Sequence, residues 1–383
     1  MTYFFETYGC QMNIAESAAL QMILKERVWQ EASSAETADL ILLNTCSVRA
    51  TAEKRVMGRL AQYQAEKRKR PFTLIVAGCM AERLGEKLKE KIPAVDYVMG
   101  TQSRSLFPLI LDAVEGGKPL VLTDEKPAFS FSSSHLEEGQ FRSFVPIMHG
   151  CNNFCSYCIV PYVRGREISR RFGDVLDEVH KLADQGVKEV VLLGQNVNSY
   201  RDPVHGEWTF ARLLEAVGRT PGIRRVRFTT SHPRDFGPDI VEAINRTPAL
   251  CNQVHLPVQS GSTRILEAMD RLYTREEYMA RIGWLKASPR DIALSTDIIV
   301  GFPGESEQDF EQTLALLDEV EYDSVFSFKY SPRPNTAALA LPDQIPEQEK
   351  SRRLAILQER QRQIQIRRNA RLVGGVQEAL VEG

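Results

Sequence analysis

The sequence predicts an α/β protein in two parts, an open and mostly parallel sheet over residues 1–115 and a partial (β/α)6 barrel over residues 144–345. Three observations predict it. Short apolar runs alternate with amphipathic stretches along most of the chain, the pattern of parallel strands covered by helices. Residues 116–143, with "FSFSSSHLEEGQ", are rich in Gly, Pro, Ser and Glu and read as a linker between the two parts. Six further apolar runs follow that linker, fewer than the eight of a complete barrel.

In the first part the strand candidates are "TYFFETYG", "DLILLNT", "FTLIVAG" and "DYVMG". Between them, residues such as Ala18, Leu20, Ile23 and Leu24 recur at helical spacing. In the second part the candidates are "FVPIMHG", "EVVLLGQ", "RVRFTTS", "QVHLPVQ", "IALSTDIIVGF" and "SVFSFKY". One intervening helix, "FGDVLDEVHKLADQG", places Val175, Leu176, Val179, Leu182 and Ala183 on one face and stops at Gly186. Residues 346–373 read as a basic helix: from Glu347 to Arg371 there are eight Lys or Arg against three Glu, a net +5.

Composition sets limits on the function. The 383 residues are 43% hydrophobic and 26% charged, ordinary values for a globular chain of two or three domains. There is no apolar run of about 18 residues, so no membrane span is expected. The start "MTYFFETYGC" lacks the basic and apolar regions of a secretory signal. A net charge of −2 does not mark a nucleic-acid binder, so any such binding would rest on local basic patches. Seven cysteines, an odd number without a secretory signal, argue for metal or redox use in the cytoplasm over a disulfide framework.

Three of those cysteines lie in "GCNNFCSYC", with Cys151, Cys155 and Cys158 spaced C-x3-C-x2-C. A structural zinc usually takes four ligands. An iron–sulfur cubane on three cysteines leaves one iron open to substrate, which suggests a reactive cluster over an electron carrier. Cys10, Cys46 and Cys79 each directly follow a predicted strand, in "FFETYGC", "LILLNTC" and "LIVAGC". They therefore share the carboxyl edge of the sheet, where open α/β sheets bind ligands. One such cysteine would be a small buried hydrophobe; three at one edge read as a second metal or cluster site with three thiolates. Cys251, in "TPALCNQVHL", precedes a strand and reads as a packing or surface residue.

The C-x3-C-x2-C motif after the first barrel strand resembles that of the radical S-adenosylmethionine (SAM) superfamily. "TYGCQMN", "NTCSVRATAEKRV", "GCNNFCSYCIVPYVRGREISR", "GQNVNSY", "TSHP", "HLPVQSGS", "IVGFPGE" and "YSPRP", in that order from residue 7 to residue 334, narrow the resemblance to the methylthiotransferase family. "YGCQMN" and "CIVPYVRGREISR" are most similar to its branch acting on N6-isopentenyladenosine beside the tRNA anticodon. The branch acting on threonylcarbamoyladenosine usually begins "LGCKVN", and the ribosomal-protein branch has Pro-Lys after its first cysteine. Two features depart from the family. Residues 374–383 resemble only the first strand of its small RNA-binding β-barrel, so a truncated TRAM-like domain is expected there. Asn335 stands where Gly is common, a change that tolerates the same turn because Asn visits positive φ.

The resemblance implies methylthiolation at C2 of N6-isopentenyladenosine with two 4Fe–4S clusters and two molecules of SAM. Cys151, Cys155 and Cys158 would hold the cluster that generates a deoxyadenosyl radical, and Cys10, Cys46 and Cys79 the auxiliary cluster that presents sulfur. Tyr157, Gly194, Gln195, Asn196, Gln259, Ser260, Val300 and Gly301 would line the SAM site, with His232 and Arg333 on loops nearby. Arg164, Arg166, Arg170, Arg171, Arg360, Arg367 and Arg368 are the candidates for RNA phosphates. The implied partners are tRNA carrying N6-isopentenyladenosine and an electron donor such as a flavodoxin or ferredoxin, with no membrane, for a monomer in the cytoplasm. The rival readings are a sister enzyme acting on threonylcarbamoyladenosine tRNA or on a ribosomal protein, and a non-catalytic iron–sulfur protein.

Overall fold

The computed structural model describes residues 1–48, 50–117, 120, 129–131 and 139–376. The expected linker and the expected strand at 374–383 lie largely outside the described residues. The chain divides into two compact units, residues 1–154 with 158–229, and residues 155–157 with 230–383.

In the first unit, β1 (Thr2–Thr7), β2 (Gln30–Glu31), β3 (Leu40–Thr45), β4 (Thr73–Gly78) and β5 (Tyr97–Met99) form a parallel sheet in the order β2–β1–β3–β4–β5. All six residues of β3 are buried, as a central strand covered on both faces requires. Its side chains alternate between two cores. Leu40 and Leu42 pack with Leu20 and Leu24 of α1 (Gln11–Glu26), whereas Ile41 and Leu43 pack with Val56, Leu60 and Tyr63 of α2 (Ala50–Lys67). The unit also holds α3 (Cys79–Leu84), α4 (Lys87–Lys91) and α5 (Phe107–Gly116). β2 has no counterpart in the sequence reading: it is two exposed residues at an edge, too short and too polar to show a period.

Three of the expected barrel strands belong to the same unit. β6 (Arg142–Pro146), β9 (Glu189–Leu193) and β10 (Arg225–Phe228) form a parallel sheet in the order β10–β9–β6. The run "FVPIMHG" is interrupted after Pro146, and β7 (Met148–His149) turns to pair antiparallel with β8 (Ile168–Ser169). Between those two strands lies α6 (Val160–Arg164). The amphipathic α7 (Phe172–Asp184) buries Val175, Val179 and Leu182, and α8 (Phe210–Gly218) buries Leu213, Leu214 and Val217.

The second unit carries the other three strands, β11 (Gln253–His255), β12 (Ala293–Val300) and β13 (Ser324–Lys329), parallel and in the order β11–β12–β13. Its helices are α9 (Pro238–Arg246), α10 (Thr263–Ala268), α11 (Arg275–Lys286), α12 (Glu307–Val320) and α13 (Glu347–Ala370). Capping boxes, Thr274 with Glu277 and Ser306 with Asp309, start α11 and α12. Among the described residues no helix is long and apolar enough to cross a membrane.

The basic tail is α13, and its charges are largely matched within its own unit. Leu357 and Ile364 are fully buried. Arg353 is buried against Glu305 at 2.7 Å, Arg360 pairs with Asp318 at 2.6 Å, Arg368 with Asp323 at 2.6 Å, and Arg367 lies 3.7 Å from Glu321. The net +5 counted along the helix omitted the acidic residues of α12 and its flanks that the fold brings alongside. Arg360, Arg367 and Arg368, expected to face RNA phosphate, thus lie beside acidic side chains; Arg360 and Arg367 are exposed and Arg368 is half-buried.

Candidate active site

The strand register brings the carboxyl ends of β1, β3 and β4 side by side: Thr7 is opposite Asn44, and Thr45 is opposite Gly78. Cys10, Cys46 and Cys79 follow these ends within a few residues. Two buried asparagines fasten the edge. Asn13 Nδ2 donates to Asn44 Oδ1 (3.1 Å) and to the Thr45 carbonyl (3.2 Å), and Asn44 Nδ2 donates to the Asn13 carbonyl (2.9 Å) and Ser17 Oγ (3.0 Å). Asn13 Oδ1 accepts from the backbone N–H of Cys10 (3.3 Å) and from its thiol (3.4 Å). Gly9 and Gly78 have positive φ, and a Cβ on either would collide, at Gly9 with Asn13 and Cys46 and at Gly78 with the Thr45 carbonyl. Only glycine lets the chain turn this closely before Cys10 and Cys79.

Cys46 and Cys79 are buried, and Cys10 is exposed, so this edge opens on the Cys10 side. The Cys46 sulfur accepts from the Val48 N–H at 3.3 Å. Burial pushes the Cys79 thiol up to about 12; Glu16 and the neighbouring sulfurs of Cys46 and Cys10 act in the same direction, and the Arg164 guanidinium opposes them. Three soft thiol donors, with no carboxylate or imidazole among them, fit an iron–sulfur cluster by donor chemistry. Among the described residues no three His, Cys, Asp or Glu side chains meet the geometry of a single bound metal ion. A cubane is larger than an ion and takes its thiolates from more widely spaced positions.

Beside Cys79 lies a buried ion pair that the sequence did not reveal. Arg164 Nη1 is 2.7 Å and Nη2 3.3 Å from the two oxygens of Glu16, and Arg104 lies 3.8 Å from the same carboxylate. Burial opposes ionisation of Glu16, but Arg164 and Arg104 hold its carboxyl down at about 2. Thr101 Oγ1 and Gln102 Nε2 donate to the carbonyls of Val163 and Arg164, at 2.5 and 2.8 Å. Ile159 and Val163 pack on Cys79. The turn just after Cys158 is thus fastened to the Cys79 edge. Arg164 is corrected from an RNA contact to this structural role, because its guanidinium is buried and matched to Glu16. Arg170 is corrected likewise: it is buried 2.5 Å from Glu178. Arg171, at the start of α7, is exposed, and so is Arg166, whose guanidinium lies 4.2 Å from the Phe154 ring centroid.

Replacing Glu16 by Gln is expected to destabilise the protein by about 3–5 kcal/mol, since it leaves the buried Arg164 guanidinium, and the half-buried Arg104 beside it, without their carboxylate. The check is the midpoint of chemical denaturation, with part of the loss recovered in the Glu16→Gln/Arg164→Gln double variant. The contribution of Glu16 also has a pH window. Its carboxyl titrates lower in the folded than in the unfolded chain, so this stability is full above the ordinary value of 4.5 and is lost as the pH falls towards about 2.

In the C-x3-C-x2-C loop, the Gly150 N–H donates to Gln195 Oε1 at 2.6 Å and the Cys151 N–H to the Gly165 carbonyl at 3.1 Å. Gln195, beyond the end of β9, therefore holds the entrance to the loop. Gly194 packs against Met148, and Asn196 is fully buried. Cys151 and Cys158 belong to the first unit. Cys155, Ser156 and Tyr157 belong to the second, where the Ser156 N–H donates to the Met269 carbonyl at 3.0 Å and its carbonyl accepts from the Ala338 N–H at 2.8 Å. Tyr157 packs with Ile265, Met269, Phe302 and Tyr330.

Also in the second unit, Gln259 is buried with a φ of 75° and bridges to Ile298. The Gly301 N–H donates to Glu305 Oε2 at 2.6 Å, with the Lys350 side chain against the glycine, and Val300 ends β12 fully packed. Ser260 is corrected: its hydroxyl is wholly buried, accepts from the Ser262 N–H at 3.2 Å and lies 3.5 Å from Thr313 Oγ1, turned towards α12. His232 lies edge-on to Tyr273 (5.6 Å), and burial together with Arg271 pushes its pKa far below the usual range, leaving it neutral. Arg333 accepts from Thr336 Oγ1 at 2.7 Å through its carbonyl, and Asn335 has the expected positive φ of 67°.

Polar residues packed beside these cysteines that sequence reasoning did not single out are Asn13, Asn44, Glu16 and Arg271, the last 3.4 Å from the Cys155 sulfur. Asn13 and Asn44 stand inside the quoted stretches "GCQMN" and "LNTC" beside the cysteines. Glu16 and Arg271 carry no local signal, because their partners are remote in sequence.

Comparisons with known proteins place the chain. Residues 145–317 match the radical SAM superfamily, and residues 2–100 match the uncharacterized protein family UPF0004. The fold is similar to that of a radical S-adenosylmethionine methyltransferase, TsrM, from Kitasatospora setae, with a TM-score of 0.66 and 16% identity over 88% of this chain and 74% of that one. Among curated relatives, a tRNA-2-methylthio-N(6)-dimethylallyladenosine synthase of Solibacter usitatus is 50% identical, covering 100% of this chain and 86% of the relative. One of Treponema pallidum is 49% identical over 92% of this chain and 81% of its own. The fold and the cysteine-bearing edges thus define a radical SAM enzyme. Within that class, the chain belongs to the tRNA-2-methylthio-N(6)-dimethylallyladenosine synthase family.

Proposed function

We propose that this enzyme methylthiolates C2 of N6-isopentenyladenosine beside the anticodon of tRNA. The observation that carries the reading is the pairing of two three-cysteine sets, one on the aligned ends of β1, β3 and β4 and one on the loop after the first barrel strand, in a chain 50% identical to a relative of that name. Cys10, Cys46 and Cys79 would hold one 4Fe–4S cluster and Cys151, Cys155 and Cys158 the other. When bound, the clusters and SAM supply reductive radical generation, sulfur and a methyl group.

The chain's own residues bind, orient and exclude water. Gln195 holds the cysteine loop by its Gly150 N–H. Tyr157, Gln259, Val300 and Gly301 of the second unit, and Gly194 and Asn196 of the first, are given the SAM contacts that the resemblance implies. Asn13 and Asn44 keep the sulfur-bearing edge in one geometry. Arg166, exposed beside the loop, is assigned to RNA phosphate. Arg166→Gln should weaken tRNA binding across sequences and lower the salt slope by about 1, read from binding isotherms at several salt concentrations. A low-potential donor such as a flavodoxin or ferredoxin supplies electrons, and the enzyme works as a monomer in the cytoplasm.

The test is an anaerobic reaction with dithionite, SAM and isopentenylated tRNA, followed by mass analysis of the nucleosides. The expected result is 2-methylthio-N6-isopentenyladenosine. Product only on threonylcarbamoyladenosine tRNA or on a ribosomal protein would assign the chain to a sister activity. No cleavage of SAM at all would leave a non-catalytic iron–sulfur protein.

A further inference from the structure

We infer that Arg271 is a positioning residue for the reactive cluster: its buried guanidinium fixes Cys155 and raises the reduction potential of the iron–sulfur group bound there. This rests on the reading of Cys155 as a cluster ligand. Arg271 lies just past α10, in "MDRLYT", a stretch with no obvious motif. Its Nη1 donates to the Cys155 sulfur at 3.4 Å and to the Tyr157 hydroxyl at 3.4 Å. Nη2 donates to the Pro257 carbonyl at 2.9 Å, and Nε to the Tyr273 hydroxyl at 3.1 Å. Tyr273 donates onward to the Val258 carbonyl at 2.8 Å. The guanidinium is thus held from three sides and cannot leave the sulfur without losing a carbonyl and a phenol.

None of those hydrogen-bond partners is a carboxylate, yet Arg271 is only 5% exposed. A buried guanidinium without an anion is strongly disfavoured. The group it faces that becomes anionic on binding iron is Cys155. A thiolate at that position supplies the missing charge, and the arginine in turn stabilises the thiolate.

Donors and cations at cluster sulfurs favour the reduced, more negative state and so raise the potential. Removing the charge should make the reactive cluster harder to reduce. The expected effect of Arg271→Gln or Arg271→Met is a tenfold or larger fall in the ratio of reduced to oxidised cluster at a fixed poise, a shift of about 59 mV for one electron. Arg271→Lys keeps the charge without the fork and should shift less.

The experiment is an anaerobic potentiometric titration followed by electron paramagnetic resonance. It uses the full chain carrying Ala at Cys10, Cys46 and Cys79, so that only one cluster reports. Iron is counted in every sample. Full iron content with a lowered midpoint in the Gln and Met variants, and an intermediate one in Lys, supports the assignment. Full iron with an unmoved midpoint in Gln and Met overturns it. Should neither neutral variant fold, Arg271→Lys decides by itself: a single ammonium cannot reach the Pro257 carbonyl, the Tyr273 hydroxyl and the Cys155 sulfur together, so the charge is no longer held at the sulfur, and an unmoved midpoint there overturns the assignment too. A Cys155→Ala control that keeps its iron would instead remove the underlying ligand assignment, an outcome distinct from failure of the role of Arg271.

Discussion

Ala at Cys10, Cys46 and Cys79 together is expected to abolish methylthiolated adenosine while leaving reductive cleavage of SAM near the wild-type rate. The three thiols stand on the aligned ends of β1, β3 and β4. The other three cysteines sit on one continuous loop after β7, held by Gln195, Gly165 and Arg271 through bonds that the substitutions leave intact. If the sheet edge only presents sulfur, hydrogen abstraction needs none of its thiols. The alternative, that Cys46 and Cys79 merely fill a buried layer, predicts a modest loss of stability of about 1 kcal/mol per site and normal product. Deoxyadenosine and product are measured in the same anaerobic reaction, and folding is checked by circular dichroism. Near wild-type product from the folded variant would sink the division of labour. Loss of deoxyadenosine along with product, with the loop cluster still present by iron count, would show that the two sites are not separable.

Ala at Cys151, Cys155 and Cys158 should have the larger consequence. About four of roughly eight irons should be lost, and both deoxyadenosine and product should fall to background, because no protein thiolate remains on that loop. The sheet edge should keep its own irons, since Asn13 holds Cys10 and, with Asn44, the end of β3 beside Cys46, and the residues that pack on Cys79, Ile159 and Val163, are not substituted. Deoxyadenosine from the triple variant would mean that the reactive cluster was assigned to the wrong cysteines. Loss of all irons would show that the edge depends on the turn after Cys158, which Glu16, Thr101 and Gln102 hold against Cys79.

The two basic regions respond differently to the fold. Arg164 and Arg166 are two residues apart in "VRGREISR" and look equivalent in sequence. In the structure Arg164 is buried on Glu16, whereas Arg166 is exposed over Phe154. Along α13, Arg353, Arg360 and Arg368 each meet an acidic side chain from α12 or its flanks. Charge counted along one helix says nothing of the charge packed against it.

The sequence by itself determined the strand–helix alternation, the strand ends that carry Cys10, Cys46 and Cys79, and the spacing of Cys151, Cys155 and Cys158. Each of these is a local property: a period of two or of 3.6, a turn residue, or a short interval along the chain. The buried run of β3 and the amphipathic face of α7 lie where their periods place them. Only the tertiary structure decided that Asn13 meets Asn44, that Glu16 neutralises an arginine far along the chain, that Ser260 turns inward to Thr313, and that Arg271 reaches the sulfur of Cys155. A buried polar group must find its partner wherever the fold puts one, and no period or spacing in the chain encodes that address.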